Sequence, residues 1–409
     1  MKMTVISMEI PYPPIHGGRV DIWRRLKALS KLGVEIQLIC WTKVDPEPEN
    51  IASIQQHVSS FYPIVYRRNI TALLRRAIDL VSYPLEVSSR ILRGQDWRSL
   101  LATVEEFQPD VIMADHVHTG VVALPLSRKI GVPMIVRSHD IGHLHYRYLM
   151  KMAKGHRKIL RFLSQNHLES YEKKVLRESL AFYDISSDDL AFWKEQGFTN
   201  GFHLPPLIDF LEDAETSQKQ IGVCEPDRIT YDVVFLGNLI AENNVVGVIW
   251  FLQYVLPLLK ISFPDIKILI AGSNPSSQIK ELCHDLREDV DLNINPSNAA
   301  QIYRMGKVLI NPISVGTGVS IKSIDMLAAG KPIVSFPKGL AGLPEEVKKY
   351  FDVAQDASSF TASIAGYLKG RSYQKADRQL LDSYFGITAI QSFLSNLDHL
   401  LTQRQGTKK

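Results

Sequence analysis

Cysteine is scarce in this 409-residue chain: Cys40, Cys224 and Cys283 are scattered and odd in number. None has metal-ligand spacing and no disulfide framework is implied, which fits a reducing, cytoplasmic setting. Long apolar runs are also missing. The longest, around Ile249 to Leu259, reads as too short to span a bilayer. Met3 to Ser7 has the length of a buried strand rather than a signal peptide, and a proline-rich turn stops it. The net charge of +4 is mild and gives no reason to expect nucleic acid as a partner. The first loop, Pro11-Tyr12-Pro13-Pro14, lacks Gly-x-Gly-x-x-Gly, which argues against a dinucleotide-dependent redox enzyme.

What is present is ordinary globular material. Hydrophobic residues make up 45% and charged residues 22%, a balance that excludes wholesale disorder. The length is too great for one compact core and implies two domains or a few. Charge is uneven: 27 basic against 21 acidic residues up to Pro205 leave 20 against 22 beyond it, or +6 and −2. Such asymmetry points either to a solvated basic face or to peripheral contact with an anionic membrane or acceptor.

Strand and helix patterns alternate through the first half. Thr4–Ser7, Val34–Ile39, Asp110–Ala114, Met134–Arg137 and Ala181–Ser186 read as short apolar strands, the last closing the first domain. Pro11 to Gly18 reads as a loop and Val20–Gly33 as a helix. A basic stretch runs from Arg67-Arg68 to Arg75-Arg76. Lys151 to Glu178 is a long amphipathic segment with Ile159, Phe162, Leu163, Tyr171 and Val175 near one face. That face is expected to pack on the core, and the basic side is a candidate membrane surface. Leu204-Pro205-Pro206-Leu207 reads as the interdomain linker.

The pattern then starts afresh with strands at Tyr231–Leu236, Ile266–Ala271, Val290–Ile294, Val308–Asn311 and Ile333–Phe336, and helices at Val245–Leu259 and Val319–Ala329. The expected fold is α/β, with two Rossmann-like doubly wound domains facing across a cleft. The expected bounds are 1–204, 205–384, and a C-terminal helix at 385–409 that crosses back to the first domain.

The most informative segment runs from Asn311 through Gly316, Thr317, Gly318 and Val319 to Lys322 and Asp325. It leads from a strand through a glycine turn into a helix. The glycines admit close backbone approach, and a helix start offers unpaired N–H groups to phosphate. Lys322 lies one turn in, where its ammonium could reach the same phosphate, and Asp325 suits ribose hydroxyls. A plain turn into a surface helix with a solvated lysine is the alternative. In the first half the polar cluster Arg137, His139, His143 and His145 follows an apolar strand. His139 reads either as a site residue or as a hydrogen-bonded strand-end histidine. His143 and His145 could be metal ligands, but no well-spaced carboxylate accompanies them. Asp115, His116 and His118 follow another strand and are weaker candidates. The one Asp-x-Asp tripeptide, Asp289-Val290-Asp291, leads into a strand rather than out of one and reads as a solvated turn.

Together these segments resemble glycosyltransferases of the GT-B fold, particularly family four and its bacterial sugar transferases of polysaccharide assembly. The likeness covers Gly316 to Pro332, Pro337 to Leu343, and Phe235-Leu236-Gly237-Asn238 with the helix after it. In the first half it covers Gly17-Gly18, Arg137-Ser138-His139-Asp140, Tyr171-Glu172 and Ile185-Ser186.

The resemblance implies a retaining, metal-independent hexosyltransferase. Its co-substrate would be a nucleotide-diphosphate sugar, its acceptor a saccharide or lipid-linked molecule, and it would have no cofactor. Lys322 would neutralise the diphosphate and Asp325 would hold ribose. Thr317, Gly318 and Val319 amides would contact phosphate or donor sugar, with Gly237, Asn238 and Gly316 nearby. His139 would touch the sugar near the reacting carbon. Gly17 and Gly18 would leave room for phosphate or acceptor, with Arg19 adding charge. Thr317 and Asn238 stand where family members often carry an acidic residue and an arginine, and Asn243 or Asn244 where they often carry a lysine, so Lys322 would bear most of the phosphate charge, helped by Arg19. A sugar-nucleotide 2-epimerase and a non-catalytic sugar-nucleotide-binding protein are the competing readings.

Overall fold

In the computed structural model the described residues are 1–66, 70–208, 230–296, 298–315 and 318–406. Arg67, Arg68, Cys224, Gly316 and Thr317 lie outside them. The chain divides into two compact units, Met1–Leu204 with Ile390–Lys409, and Pro205–Ala389. The second boundary falls at Ala389 rather than at residue 384.

Unit 1 is built on a seven-stranded parallel sheet of β1 (Lys2–Ser7), β2 (Glu35–Thr42), β3 (Ser60–Val65), β4 (Val111–Asp115), β5 (Met134–Ser138), β6 (Ala181–Asp184) and β7 (Gly201–His203). Their order is β3-β2-β1-β4-β5-β6-β7. The central strands β1, β4 and β5 are short, rich in Val, Ile and Met, and almost wholly buried, as a sheet covered on both faces requires. Order reverses between β1 and β4, and the register sets Ser7 beside Asp115 and Asp115 beside Arg137 at the carboxyl ends. Two strands lie beyond the sequence reading. β3 carries Pro63, which a parallel edge strand tolerates. β7, and not β6, is the last strand of this sheet.

Unit 2 repeats the plan with β8 (Tyr231–Asn238), β9 (Ile268–Ser273), β10 (Val290–Ile294), β11 (Gly306–Asn311), β12 (Ile333–Ser335) and β13 (Phe351–Val353), ordered β10-β9-β8-β11-β12-β13. One core layer packs Val248, Phe251 and Phe360 against the sheet; the other packs Ile324, Leu327 and Phe385. Where β8 and β9 end, their backbones nearly touch. A Cβ at Gly272, whose φ is +155°, would lie 1.7 Å from the Gly237 carbonyl oxygen, so only glycine fits.

A helix runs from Glu242 to Ser262, 21 residues, longer than the apolar stretch in the sequence suggests and long and apolar enough to cross a bilayer. Its Phe251–Val255 turn is π-helical and leads into Pro257, which has no N–H to donate. Val248, Phe251, Leu252, Val255, Leu256 and Leu259 face the core, so the helix's apolar content is explained by packing within unit 2.

The segment from Lys151 to Glu178 is not one helix. Helices at Gly142–Met152, His156–Gln165 and Leu168–Glu178 are separated at Gly155 and His167, whose φ values are +57° and +62°. Tyr171 and Val175 are buried as expected, but Ile159 and Phe162 are exposed, against the expectation of a core-facing stripe.

Candidate active site

At the reversal point of unit 1 the carboxyl ends of β4 and β5 gather a buried charged cluster. Arg137, with no exposed surface, pairs with Asp21 and lies 3.5 Å from Asp115. Arg25 lies 3.3 Å from Asp21 one helical turn away. Two carboxylates and two guanidiniums thus balance within one dry volume, the arrangement that makes buried charges tolerable. Strand alternation places Arg137 and His139 on the same side. His139 Nε2 is 2.7 Å from Asp115 Oδ1 and 3.1 Å from Arg137 Nη1. Burial works against the Asp115 carboxylate, but the charges of His139, Arg137 and Arg25 outweigh it and hold the group at about 2. Asp115 is therefore an anion that fixes the His139 ring.

The neighbouring groups are quieter. His116 and His118 stack 4.4 Å apart, and burial pulls His118 down to about 3, so it is neutral. His116 is 3.9 Å from Asp140, a carboxyl raised by burial. His143 bonds Glu172 at 2.6 Å, and Glu172 also accepts from the backbone N–H groups of Gly142 and His143. Glu172 therefore caps the helix Gly142–Met152, a structural task. His145 packs on Tyr146. Gly17 and Gly18 form the first turn of helix Gly17–Lys31 rather than a preceding loop, and no side chain caps it. Arg19 is not an unneutralised cation, because Glu9 accepts from it at 3.0 Å and also lies 3.3 Å from His16.

At the reversal point of unit 2, between β8 and β11, the central group is Lys322. Its helix spans Ile321–Ala329, starting two residues later than the pattern suggests, with Ser320 at the N-cap making no side-chain cap. Lys322 Nζ donates to Asn244 Oδ1 and sits 4.4 Å from the Phe235 ring centroid. Asn244 is held in turn by donating to the Asn238 carbonyl at 2.8 Å. Among the described residues no carboxylate pairs with Lys322, and burial lowers its pKa to about 7 from an ordinary 10.5. A Cβ on Gly237 would lie 3.2 Å from Nζ, so this glycine leaves the space the ammonium occupies.

Gly318 has φ +74°, a conformation suited to glycine. Ser323 is buried and ties Asn311 to the Gly339 carbonyl. Asp325, on the same helix as Lys322, is buried. The Asp-x-Asp carboxylates sit at the amino end of β10 and are already engaged, Asp289 by Lys260 and Asp291 by the Tyr231 hydroxyl at 2.7 Å.

The structure thus brings His139, Asp115 and Arg137 together in unit 1, and Gly237, Asn238 and Lys322 together in unit 2. It leaves Arg19 ion-paired. Phe235, which sets the environment of Lys322, carries no sequence signal of that role, and Asn244 stands out in the sequence only as a place where the resembled family often has lysine. Asp21 carries none either, lying 116 positions from its partner Arg137.

Comparison with known proteins accords with this geometry. Residues 230–369, all within unit 2, match the family model described as glycosyl transferases group 1. An uncharacterized 44.6 kDa protein in the cps region of Klebsiella pneumoniae is 26% identical over 382 residues, 91% of this chain and 92% of the relative. Among solved structures, sucrose-phosphate synthase from Thermosynechococcus elongatus superposes with a TM-score of 0.64 at 13% identity, over 99% of this chain and 100% of that one. The UDP-GlcNAc 2-epimerase of Neisseria meningitidis, bound to UDP-GlcNAc, superposes with a TM-score of 0.58 at 11% identity, over 97% and 99%. Likeness at such identities speaks for the fold alone. The second unit thus matches a group 1 glycosyl transferase domain, and the chain as a whole shares its two-domain fold with these enzymes.

Proposed function

We propose that the protein transfers a hexose from a nucleoside diphosphate sugar to a saccharide or lipid-linked acceptor, with retention of anomeric configuration and without a metal ion. The observation that carries this reading is Lys322: an ammonium with no acidic partner among the described residues, at the carboxyl end of β8 and beside an uncapped helix start. Breaking the anomeric C–O bond leaves negative charge on the diphosphate. A fixed cation and helix N–H groups stabilise that charge best where water is excluded. Lys322 can supply in this way the charge that a metal supplies elsewhere.

Asp325 is assigned to the ribose, and Gly237, Asn238, Gly318 and Val319 to donor contacts. Gly316 and Thr317 are assigned likewise from the sequence alone. His139, held by Asp115, is assigned to the sugar. The acceptor hydroxyl attacks the face the diphosphate leaves and hands its proton to the departing phosphate, so no enzymic nucleophile is needed. Gly17, Gly18 and Arg19 are assigned to the acceptor side. The relative's place in a cps region supports polysaccharide assembly as the setting, and the scarcity of cysteine supports assigning the protein to the cytoplasm.

Thermal shift with a panel of nucleoside diphosphates, starting with UDP, finds the donor class, since a ligand at a hundred times its Kd stabilises by about 2.7 kcal/mol. The fold is also that of a 2-epimerase. Incubating the donor without acceptor separates the two readings. Transferase chemistry leaves the sugar configuration at C2 unchanged, and an epimerised product would overturn the proposal.

A further inference from the structure

The two most strongly amphipathic helices of the described chain, Ile70–Asp79 and His156–Gln165, both belong to unit 1 and both turn apolar residues outward. Ile70 is 75% exposed, Leu74 62%, Ile78 71%, Ile159 64% and Phe162 54%. These are not scattered surface residues. Ile70, Leu74 and Ile78 recur at intervals of four and form a single stripe. The helices are also neighbours, since each packs on the short helix Leu85–Ser88, and Ser164 donates to Glu86 there at 2.8 Å.

The inward sides are already used. Asp79 takes a two-pronged bond from Arg93, and Ala72, Arg75 and Arg76 line a cavity of about 330 Å³ with Trp41 and Tyr66. The outward apolar stripes are left uncovered by the described residues of unit 1. Exposed cations accompany the second stripe, Arg157 and Lys158, while Arg75 and Arg76 of the first helix line the cavity and Arg161 lies 5.9 Å from the Tyr146 ring. Acidic residues on the two helices are confined to the buried Asp79.

We infer that this face docks unit 1 on an anionic lipid bilayer, with the stripes in the interface and Arg157 and Lys158 among the headgroups. Apolar side chains on one side of a helix and cations beside them, with little opposing charge, are the chemistry of an interfacial helix. A protein partner with an acidic groove or a second copy of the chain are the other occupants such a face could have. The charge excess selects the anionic surface over a second copy, because two identical basic faces repel.

The test is sedimentation of the full chain with vesicles, without nucleotide or acceptor, so that its outcome is independent of the transfer reaction. Vesicles of phosphatidylcholine with phosphatidylglycerol should carry the protein down and pure phosphatidylcholine should not, with binding weakening as salt is raised. The pairs Leu74→Glu with Ile78→Glu, and Ile159→Glu with Phe162→Glu, should each reduce binding at least about tenfold. Arg157→Glu with Lys158→Glu should reduce it roughly fivefold per removed cation. Unchanged melting temperature and unchanged nucleoside diphosphate binding certify that the variants fold. Three results overturn the inference: no binding to anionic vesicles, equal binding by all variants, or a lipid-free dimer abolished by the same substitutions.

Discussion

The two units solve one geometric problem with opposite electrostatics. Both are parallel sheets with a reversal point beside the first strand, and both collect polar groups where the central strands end. Unit 1 fills that place with charges that neutralise one another: Asp21, Arg25, Asp115 and Arg137, with His139 bonded to Asp115. Unit 2 leaves one cation among an amide, an aromatic ring and a glycine. A charge-balanced cluster fixes a ring in position; an ammonium with no carboxylate facing it among the described residues favours an incoming anion. The same fold can thus hold a positioning device and a charge receptor, distinguished only by which side chains sit at the strand ends.

Stability measurements break this contrast most directly. Asp115→Ala should destabilise the protein by about 3–5 kcal/mol in denaturant unfolding, because it strands a buried guanidinium. Lys322→Met should leave the ligand-free protein as stable or more so, since it removes a desolvated charge. Equal losses from the two substitutions would erase the distinction. Turnover comes next. Lys322→Ala should lower kcat/KM about 10²–10³-fold with the far-ultraviolet circular dichroism unchanged. Near-normal rates would remove this side chain from the mechanism.

A third prediction concerns pH. With a folded pKa of about 7, Lys322 loses its proton above neutrality in the free protein. A bound diphosphate favours the ammonium, so binding above pH 7 takes up a proton. Affinity should then fall with rising pH by up to about tenfold per unit. Calorimetry in buffers of different ionisation enthalpy reads the uptake, and Lys322→Ala should abolish it. The sign for stability is the reverse of that for binding. The cost of burying the ammonium stands in full below pH 7 and is relieved between 7 and 10.5, where the unfolded chain still holds the proton. Smallest of the four, Glu172→Gln should cost roughly 1 kcal/mol of stability through the weakened helix cap, with turnover unaltered.

Much of the architecture was legible because parallel strands buried on both faces read as short apolar runs between turn residues. The strands that escaped are those whose residues break that rule. β3 carries a proline and stays half-buried, and β7 and β13 have three residues each. The break at Gly155 and His167 was hidden by an apolar periodicity that continues across it, and only burial separates the packed Tyr171 from the exposed Phe162. In the candidate site, Lys322 could be found because a glycine turn opening a helix is a local pattern. Its partners could not. Asn244 is 78 positions away, and Arg137 and Asp21 are 116 apart, distances that only the sheet topology closes. Arg19 looked like available charge until Glu9 was seen beside it.

The helix Ile387–Gly406 has a consequence for how the protein is made. From Ile390 onward it belongs to unit 1, where Phe393 meets the Tyr183 ring edge-on at 4.7 Å and Asn396 accepts from the Tyr183 hydroxyl at 2.6 Å. Ile390 and Leu397 are fully buried. A ribosome therefore delivers the whole of unit 2 before it delivers the last piece of unit 1. The nascent first unit must wait with apolar ground around Tyr183 uncovered, while the second can complete itself, reversing the usual order in which domains mature along a growing chain.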